Sequence, residues 1–535
     1  MSRDCIILRL TFSAAHPSNL DKGTKDLKAR IMARKTRPLH AGRRLRGAAT
    51  ALAALSIAAA PAGSEGLTER DKIVHLLSRA AFGPTPAELT RVEAMGREAW
   101  IEEQLAAPPG DEPEVAAKLS RYPTLGLSPA QLFSAYPPDC PSRECSRFNI
   151  PEQQMAATVI RAVHSRYQLR EVMVDFWTNH FNVFAFEGPT PYTIQAYLQD
   201  AIRPHALGRF EDLLVAVAQS AAMLYYLDNY LSTREGAPVG SDIRGGINEN
   251  YARELMELHT VSVAAGYTQQ DVIEVAKLLT GWTFRSPRDG NPFAFQFIPE
   301  WHEGGGKTVL GRRFDAGGQQ EGLDLLSFLA HHPSTADNLI APKLVSRFVR
   351  DAPPSKLVKR VASAFKNSGG DIAATLRVLL KHQDFYKAEH VGAKSKAPLE
   401  LVAGAARGLQ ADVNDGTALA RAVAYLGQPL LGAHPPTGWP DVASEVVSAG
   451  GMLNRFALAD VLVRGRFDGI RVDLDRLAAP SSSGNALADQ LIDAIVLAPV
   501  SDDTRQALRQ AAHSAGASRE TIAGLVLSSP EFQAQ

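Results

Sequence analysis

Residues 247–284 read INENYARELMELHTVSVAAGYTQQDVIEVAKLLTGWTF, a pattern that predicts two helices joined by a short turn. Thr268 stands at the N-cap of the second helix, and Asp271 occupies the capping-box position three residues later. Gly281 lies where a left-handed residue commonly ends a helix. We therefore expect this segment to form a helical hairpin from two helices, 248–259 and 269–280.

Apolar residues recur at helical spacing through most of the chain after residue 151. Within 165–181 they follow the i, i+3, i+4, i+7 rule at four positions: Leu169, Val172, Met173 and Phe176. Residues 293–297 instead alternate with period two, and residues 307–310 follow a glycine-rich turn, which together predict paired strands. The sequence therefore predicts a mainly α fold, a large multi-helix assembly with one small β-hairpin near 293–311.

The first 62 residues have the composition of a secretory leader. They carry twelve Lys or Arg residues and three Asp residues, and the apolar run Ala48–Ala60 follows this basic block. Ala60, Pro61 and Ala62 then supply the small residues of a cleavage site. We therefore expect cleavage after Ala62 and export to the periplasm or the cell exterior, with Met32 as an alternative initiator. A retained basic tail is the competing interpretation.

The sequence after the leader divides by composition into four regions. They are N-terminal helices with a proline-rich connection, a helical core with the hairpin, a β-hairpin insertion and a C-terminal helical region: 63–150, 151–285, 286–320 and 321–535. Residues 63–535 carry 45 basic and 54 acidic side chains, a net charge of −9, which lacks the basic footprint of a nucleic-acid-binding protein. The longest apolar runs fall short of the ~18 residues expected of a transmembrane helix.

Cys140 and Cys145 are the cysteines of the sequence that follow the leader. In an oxidising compartment such a pair is expected to form a disulfide. A metal site is the alternative interpretation, but it would need two further ligands nearby.

Polar side chains border the apolar face of the first hairpin helix. Asn250, Glu254 and Glu257 fall within about 60° of one another when each residue turns the helix by 100°. A half-buried carboxylate needs a partner, so such groups mark functional sites or structural clamps. A solvated ladder of ion pairs through Glu249, Arg253 and Glu257 is the competing explanation.

Short motifs along the chain resemble those of one bacterial family. The hairpin supplies three of them, Asn248–Thr260, Gly266–Thr268 and Leu279–Trp282. Further matching motifs are Leu77–Gly83, Phe176–Phe181, Leu227–Asn229, Lys307–Gly311 and Gly438–Pro440. Together they resemble the bacterial domain-of-unknown-function family 1800 over nearly all of the chain after the leader. The resemblance implies a large, exported, mostly helical protein without an established activity, so no catalytic residue is carried over.

The first functional hypothesis is an enzyme whose site lies where the hairpin meets the helix containing Asp175–Phe181. Carboxylate and imidazole groups suit general acid–base hydrolysis or a divalent metal. The candidate catalytic residues are Arg253, Glu254, Glu257 and His259. The candidate metal ligands are His180, Glu254 and His259, and the candidate binding residues are Asp175, Asn179, Asp228, Asn250 and Trp282. A core role is the alternative for His180 and His259, because both share the apolar faces of their helices.

The second hypothesis is a binding or assembly protein. The resemblance implies a partner, because genes of this family often neighbour those of a sulfatase-like exported family, the domain-of-unknown-function family 1501. In this hypothesis the polar motif of the hairpin is a buried clamp that fixes the register of the helices. The clustering of several polar residue types on one short hairpin favours the enzyme.

Overall fold

The computed structural model describes residues 66–238, 245–287, 292–514 and 517–535. The expected leader, its cleavage after Ala62 and the alternative start at Met32 lie outside these residues. Within them the chain forms twenty-four α-helices and three two-stranded antiparallel sheets, which confirms the mainly α prediction. None of the helices in the described part of the chain is long and apolar enough to cross a membrane.

Short helices, several of them opened by a side-chain cap, form the chain before the hairpin. Thr68 and Ser128 each complete a capping box with the third residue of their helix. The helices are α1 (Glu69–Ala80), α2 (Pro86–Met95), α3 (Arg97–Leu105), α4 (Pro113–Leu119), α5 (Pro129–Ala135), α6 (Asn149–His164), α7 (Gln168–His180), α8 (Thr190–Ala196), α9 (Phe210–Ala218) and α10 (Ala221–Tyr226). Helix α8 continues as a π-helical segment, Tyr197–Ile202. The predicted disulfide is present between Cys140 and Cys145, in the loop before α6.

The predicted hairpin is present, but its first arm is not α-helical throughout. Helix α11 (Glu249–Glu254) passes into a π-helical segment, Leu255–His259. The hydroxyl of Thr260 donates to the first carbonyl of that segment at 2.6 Å, so a side chain satisfies part of the widened turn. The second arm, α12 (Gln269–Leu278), begins with the predicted Thr268 capping box.

Two separate β-hairpins replace the single one predicted near 293–311. The antiparallel pairs are β1 (Trp282–Phe284) with β2 (Phe295–Phe297), and β3 (Lys307–Val309) with β4 (Arg312–Phe314). Leu310 and Gly311, between β3 and β4, have φ angles of 48° and 78°. Positive φ at both central residues is the geometry of a tight two-residue hairpin turn. This turn brings β4 alongside β3, so β3 pairs with β4 and not with β2.

The chain after β4 is again helical and contains a third strand pair, β5 (Asp412–Val413) with β6 (Ile470–Arg471). A π-helical segment, Thr335–Ile340, leads directly into the helix that begins at Ala341. The helices are α13 (Gln319–His331), α14 (Ala341–Phe348), α15 (Ser355–Asn367), α16 (Ile372–Lys381), α17 (Pro398–Gly408), α18 (Thr417–Tyr425), α19 (Ala443–Val446), α20 (Ala449–Val463), α21 (Gly484–Ile495), α22 (Asp502–Ala512), α23 (Arg519–Leu527) and α24 (Pro530–Gln533).

One continuous hydrophobic core extends from Ile73 in α1 to Phe532 in α24. Helix α7 contacts α1, α3 and α6 and carries the fully buried Trp177 into this core. Polar residues of α7 therefore lie beside side chains from distant parts of the sequence. The division into the four composition-based regions stays a prediction.

Candidate functional site

The polar border of α11 lies at the protein surface. Asn250 is exposed. Arg253 donates to Glu249 at 3.0 Å and to Gln269 at 2.9 Å, and Gln269 donates to Glu249 at 2.6 Å. These three side chains form a partly solvated network, so the ion-pair ladder accounts for the position of Arg253. Such exposed pairs contribute little free energy to folding.

The two other acids of the hairpin, Glu254 and Glu257, are half-buried. The hydroxyl of Tyr267 donates to Glu257 at 2.8 Å, so Glu257 belongs to this contact rather than to the ladder. No hydrogen bond or ion pair reaches Glu254 from the part of the chain that the structure describes. Burial, together with the charge of Glu257, raises the pKa of the Glu254 carboxyl. Glu254 is therefore the hairpin acid that remains open to a ligand.

His180 and His259 both lie in the core. Burial, together with the positive charge of Lys343, lowers the pKa of His259 to about 3. His180 Nε2 donates to the carbonyl oxygen of His259 at 3.2 Å, while the two rings are 6.2 Å apart. Among the described residues, no three His, Cys, Asp or Glu side chains converge as a metal site. The predicted ligand set of His180, Glu254 and His259 is therefore not assembled, and the core interpretation describes both histidines.

The predicted binding residue Trp282 is a core residue. Trp282 is fully buried, and its indole packs so closely on Gly322 that a Cβ on Gly322 would lie 2.5 Å from the ring. The motif Leu227–Asn229 holds the end of the hairpin in place. Its buried Asn229 side chain donates to the carbonyls of Leu279 and Trp282 at 3.2 and 3.1 Å and so acts as a clamp. Asp228 is exposed beside this clamp and adopts a left-handed φ of 61°.

Residues 428–441, here called the strap, cross the C-terminal end of α7. Asn179 donates to the Trp439 carbonyl at 2.8 Å and accepts from the Trp439 N–H at 2.7 Å. Asn182 donates to two further strap carbonyls at 3.0 and 2.9 Å. Gly438 has a φ of 71°, and a Cβ there would lie 2.4 Å from Asn179 Oδ1. Asn179, predicted to bind a ligand, therefore binds the strap.

A small cavity of about 60 Å³ lies between α7 and the strap. It is lined on the α7 side by Asp175, Thr178 and Asn179 and on the strap side by Leu430, Leu431 and Trp439. Across the described ranges Asp175 has neither a hydrogen bond nor an ion pair. Burial raises the pKa of Asp175 to about 7, against the opposing charge of Arg347 and with the repulsion of Glu400 and Asp441.

Ion pairs neutralise the arginines that line the rest of this cavity. Arg161 binds Asp111 through two hydrogen bonds of 2.8 Å, and Arg203 binds Glu171 through two of 2.8 and 3.0 Å. Both guanidinium groups thus have carboxylate partners already. The positive charges that line the cavity opposite Asp175 are consequently neutralised by other carboxylates. This lack of a free positive charge favours the protonated form of Asp175.

A second buried charge cluster lies close enough to Asp175 to influence its titration. Arg347 and Glu400 form an ion pair with side chains that are 6% and 5% exposed. Burial alone would raise the pKa of Glu400, but Arg347 holds it below its usual value. Burial raises the pKa of Asp441 in spite of Arg347. Carboxyl groups whose pKa values are shifted in opposite directions are thus grouped together, as in sites that combine a general acid with a general base.

Sequence reasoning misses three members of this cluster, Arg347, Glu400 and Asp441. Asp441 directly follows the motif Gly438–Pro440, so extending that motif by one residue would have included it. Arg347 and Glu400 belong to α14 and α17, and no local pattern marks them as functional. Their significance depends on a contact between residues that are 53 positions apart.

A family model described as "Protein of unknown function (DUF1800)" matches residues 75–534. Comparisons with curated proteins and with solved structures gave no match. The match includes α7, the hairpin and the strap, and it agrees with the resemblance of the motifs. The chain therefore belongs to the DUF1800 family.

Proposed function

We propose that this protein is a hydrolytic enzyme that works by general acid–base chemistry, with Asp175 as the group that transfers the proton. One observation carries the proposal: Asp175 lines a cavity and, within the described residues, makes no hydrogen bond and no ion pair. Burial raises the pKa of Asp175 to about 7, so both of its protonation states are populated at neutral pH. A group of this kind can accept a proton from water and return it to a leaving group.

The size of the cavity supports a specific role for it. A volume of about 60 Å³ exceeds the roughly 10–15 Å³ that one ordered water needs but is well below the size of a typical substrate pocket. We therefore propose that the cavity holds the reacting water next to Asp175. The substrate bond would approach from the strap side, where Trp439 and two leucines line the cavity.

The hairpin remains an alternative position for the same chemistry. Glu254 supports this alternative, because burial and Glu257 raise its pKa. Glu257 and Arg253 already contact neighbouring side chains, and would act as supporting groups. We assign no metal to either position, since the ligand set expected from the sequence is not brought together.

Hydrolysis by purified protein tests the proposal and separates the two positions. Chromogenic esters, phosphoesters and glycosides would be screened, and any activity found would be measured in Asp175→Asn, Glu254→Gln and Glu249→Gln. We expect Asp175→Asn to lose about a hundredfold or more in kcat, as removal of a general acid–base group does, and the surface control Glu249→Gln to keep it. Full activity in Asp175→Asn would refute the role of Asp175, and loss confined to Glu254→Gln would move the site to the hairpin.

A non-enzymatic role as an assembly partner of a sulfatase-like exported protein is the second candidate. It is favoured by the structural use of motif residues such as Asn179 and Asn229, whose side chains bind backbone groups. Tyr425 and Leu453 also expose 54% and 69% of their surface, which leaves apolar area for a partner. Copurification of such a partner, together with no hydrolysis of any test substrate, would favour this candidate.

We also propose export to the periplasm or the cell exterior. The disulfide between Cys140 and Cys145 supports an oxidising compartment. Fractionation of cells that produce the full-length chain tests this proposal. We expect a shortened protein outside the cytoplasm, whereas a full-length protein retained with cytoplasmic markers would contradict it.

A further inference from the structure

Most polar side chains that line the cavity beside Asp175 already have protein partners. The two asparagines of the lining bind the strap, and the hydroxyl of Thr158 donates to the backbone carbonyl of Gln154 at 3.0 Å. The side-chain amide of Gln154, a residue only 2% exposed on α6, makes no hydrogen bond to any described residue. The same is true of the hydroxyl of Thr178. Two neutral groups, an amide and a hydroxyl, therefore remain open to a ligand beside Asp175.

These two open groups come from two packed helices. Thr178 follows Asp175 by three residues on α7, so both lie on one face of that helix. Gln154 belongs to α6, which packs against α7. A cavity of about 60 Å³ holds only a few waters, so groups from both helices can contact the same bound molecule. Thr178 and Trp439 are half-buried, so the cavity borders the protein surface beside the strap, where a substrate can reach it.

The charges of the cavity disfavour an anionic substrate. Arg161 and Arg203 are the cationic side chains among the described residues that line it, and both have carboxylate partners. Hydrolysis of a phosphate or sulfate ester places negative charge on several oxygens, which unpaired cationic groups stabilise in enzymes. The side chains that line this cavity supply no such unpaired charge, and ionised Asp175 would repel these oxygens.

A glycoside would require a second free carboxyl group. Glycosidases commonly place two carboxyl groups beside the scissile bond, one as acid and the other as base or nucleophile. Glu171 is the other acidic residue of the described lining. Burial alone would raise the pKa of Glu171, but Arg203 binds both of its oxygens, at 2.8 and 3.0 Å, and holds that pKa below its usual value. Glu171 is therefore committed to Arg203, and Asp175 is left as the one free carboxyl group.

We propose that the substrate of this site is an uncharged carboxylic ester, and that Gln154 and Thr178 donate hydrogen bonds to its carbonyl oxygen. This role rests on the proposed function of Asp175 in proton transfer. Attack on an ester carbonyl creates a single oxyanion, and enzymes stabilise such an oxyanion with neutral N–H and O–H donors. One carboxyl group is sufficient to move the proton.

The proposed reaction consumes one water and needs no other reactant. The Asp175 carboxylate accepts a proton from water, whose oxygen forms a bond to the carbonyl carbon while the π electron pair moves onto the carbonyl oxygen. The Gln154 amide and the Thr178 hydroxyl donate to this oxyanion. The C=O bond then re-forms, the C–O bond to the alcohol breaks, and Asp175 returns its proton to the departing oxygen. The products are an alcohol and a carboxylic acid, which loses its own proton to solvent.

The p-nitrophenyl acetate, phosphate, sulfate and β-glucoside compounds test the substrate class. Rates are compared between wild-type protein and Asp175→Asn, so that only hydrolysis that depends on Asp175 is counted. We expect such hydrolysis for the acetate, at least about tenfold above the other three in kcat/KM. Hydrolysis that depends on Asp175 but favours the phosphate, sulfate or glucoside would overturn the ester assignment and leave the role of Asp175 intact. No such hydrolysis of any of these compounds would overturn both.

Gln154→Leu and Thr178→Val test the two donors. Loss of one oxyanion donor typically lowers kcat by about 10²–10³-fold. We expect each variant to lose at least about tenfold in kcat while KM changes by less than about threefold. Gln153→Leu is the control on α6, because the Gln153 side chain accepts from the Thr124 hydroxyl at 2.8 Å and does not line the cavity, and it should keep its kcat. An unchanged kcat in either donor variant, a rise in KM alone, or an equal loss in the control would overturn the proposed roles. Thr178→Val keeps the shape of its side chain, so it decides the matter should Gln154→Leu not fold.

Discussion

Replacing Asp175 by Asn is expected to stabilise the fold at alkaline pH. The wild-type carboxyl must ionise inside the cavity, where burial raises its pKa from 3.8 to about 7. Asparagine has nearly the same shape and carries no charge, so the variant avoids this cost. Functional groups commonly destabilise the structure that holds them, and their removal then raises stability while it lowers activity.

The magnitude follows from the difference between the two pKa values. Because the folded protein binds this proton more tightly than the unfolded chain, the stability it contributes is full below about pH 4 and is lost as the pH rises to about 7. A shift of roughly three pKa units corresponds to about 4 kcal/mol. Between about pH 5 and pH 8, wild-type protein should therefore lose about 3 kcal/mol that Asp175→Asn does not lose.

Urea unfolding followed by far-UV circular dichroism at both pH values measures this difference. Asp351→Asn is the matched control, because the Asp351 carboxylate accepts from Lys394 at 2.6 Å and from the Ala443 N–H at 2.8 Å. We expect the control to lose about 1–3 kcal/mol at pH 8, as removal of a partnered carboxylate does. A gain for Asp175→Asn that is the same at both pH values, or a loss at pH 8, would refute the reasoning.

Three further substitutions test the contacts that shape the fold, each by urea unfolding. Lys307→Met removes the partner that donates to buried Glu321 at 2.8 Å, and should cost about 3–5 kcal/mol because it leaves a carboxylate buried beside His302. Gly438→Ala should cost about 2–4 kcal/mol, since its Cβ would collide with α7 and its φ is left-handed. Arg253→Ala should change stability by less than about 1 kcal/mol, because its ion pair is partly solvated.

Matched controls separate these causes. Lys366→Met removes an exposed ion pair with Asp337 and should cost less than about 1 kcal/mol, so a similar loss for Lys307→Met would contradict the role assigned to burial. Gly427 also has positive φ, at 104°, but nothing lies within 4 Å of its added Cβ. Gly427→Ala should therefore cost the backbone strain alone, about 1–2 kcal/mol. Equal losses at both glycines would exclude a collision with α7.

The features predicted correctly from sequence depend on local signals. The Thr268 capping box, the turn at Gly281 and the close spacing of Cys140 and Cys145 are each decided within a few residues. The same is true of the helical periodicity that predicts the fold class. The π-helical segment at Leu255–His259 is missed because it keeps the composition of an α-helix, and its extra residue is revealed by the backbone alone.

The candidate site is predicted less well because it depends on long-range contacts. Sequence periodicity places Asn250 and Glu254 on one border, yet Asn250 is exposed and Glu254 half-buried. Asp175 is expected to be a binding residue, but the cavity beside it forms where the strap, more than 250 positions away, crosses α7. Its neighbours in the charge cluster, Arg347 among them, belong to other parts of the chain. The residue pattern of α7 alone therefore does not predict them.

The protonation state of Asp175 is the most direct test of the proposed chemistry. Infrared difference spectra between wild-type protein and Asp175→Asn, recorded from about pH 4 to pH 9, isolate the C=O stretch of this one protonated carboxyl group. We predict a band that is present at acidic pH and half lost near pH 7. A band already absent above about pH 5 would show an ordinary aspartate and would contradict the assignment of Asp175 as the proton-transferring group.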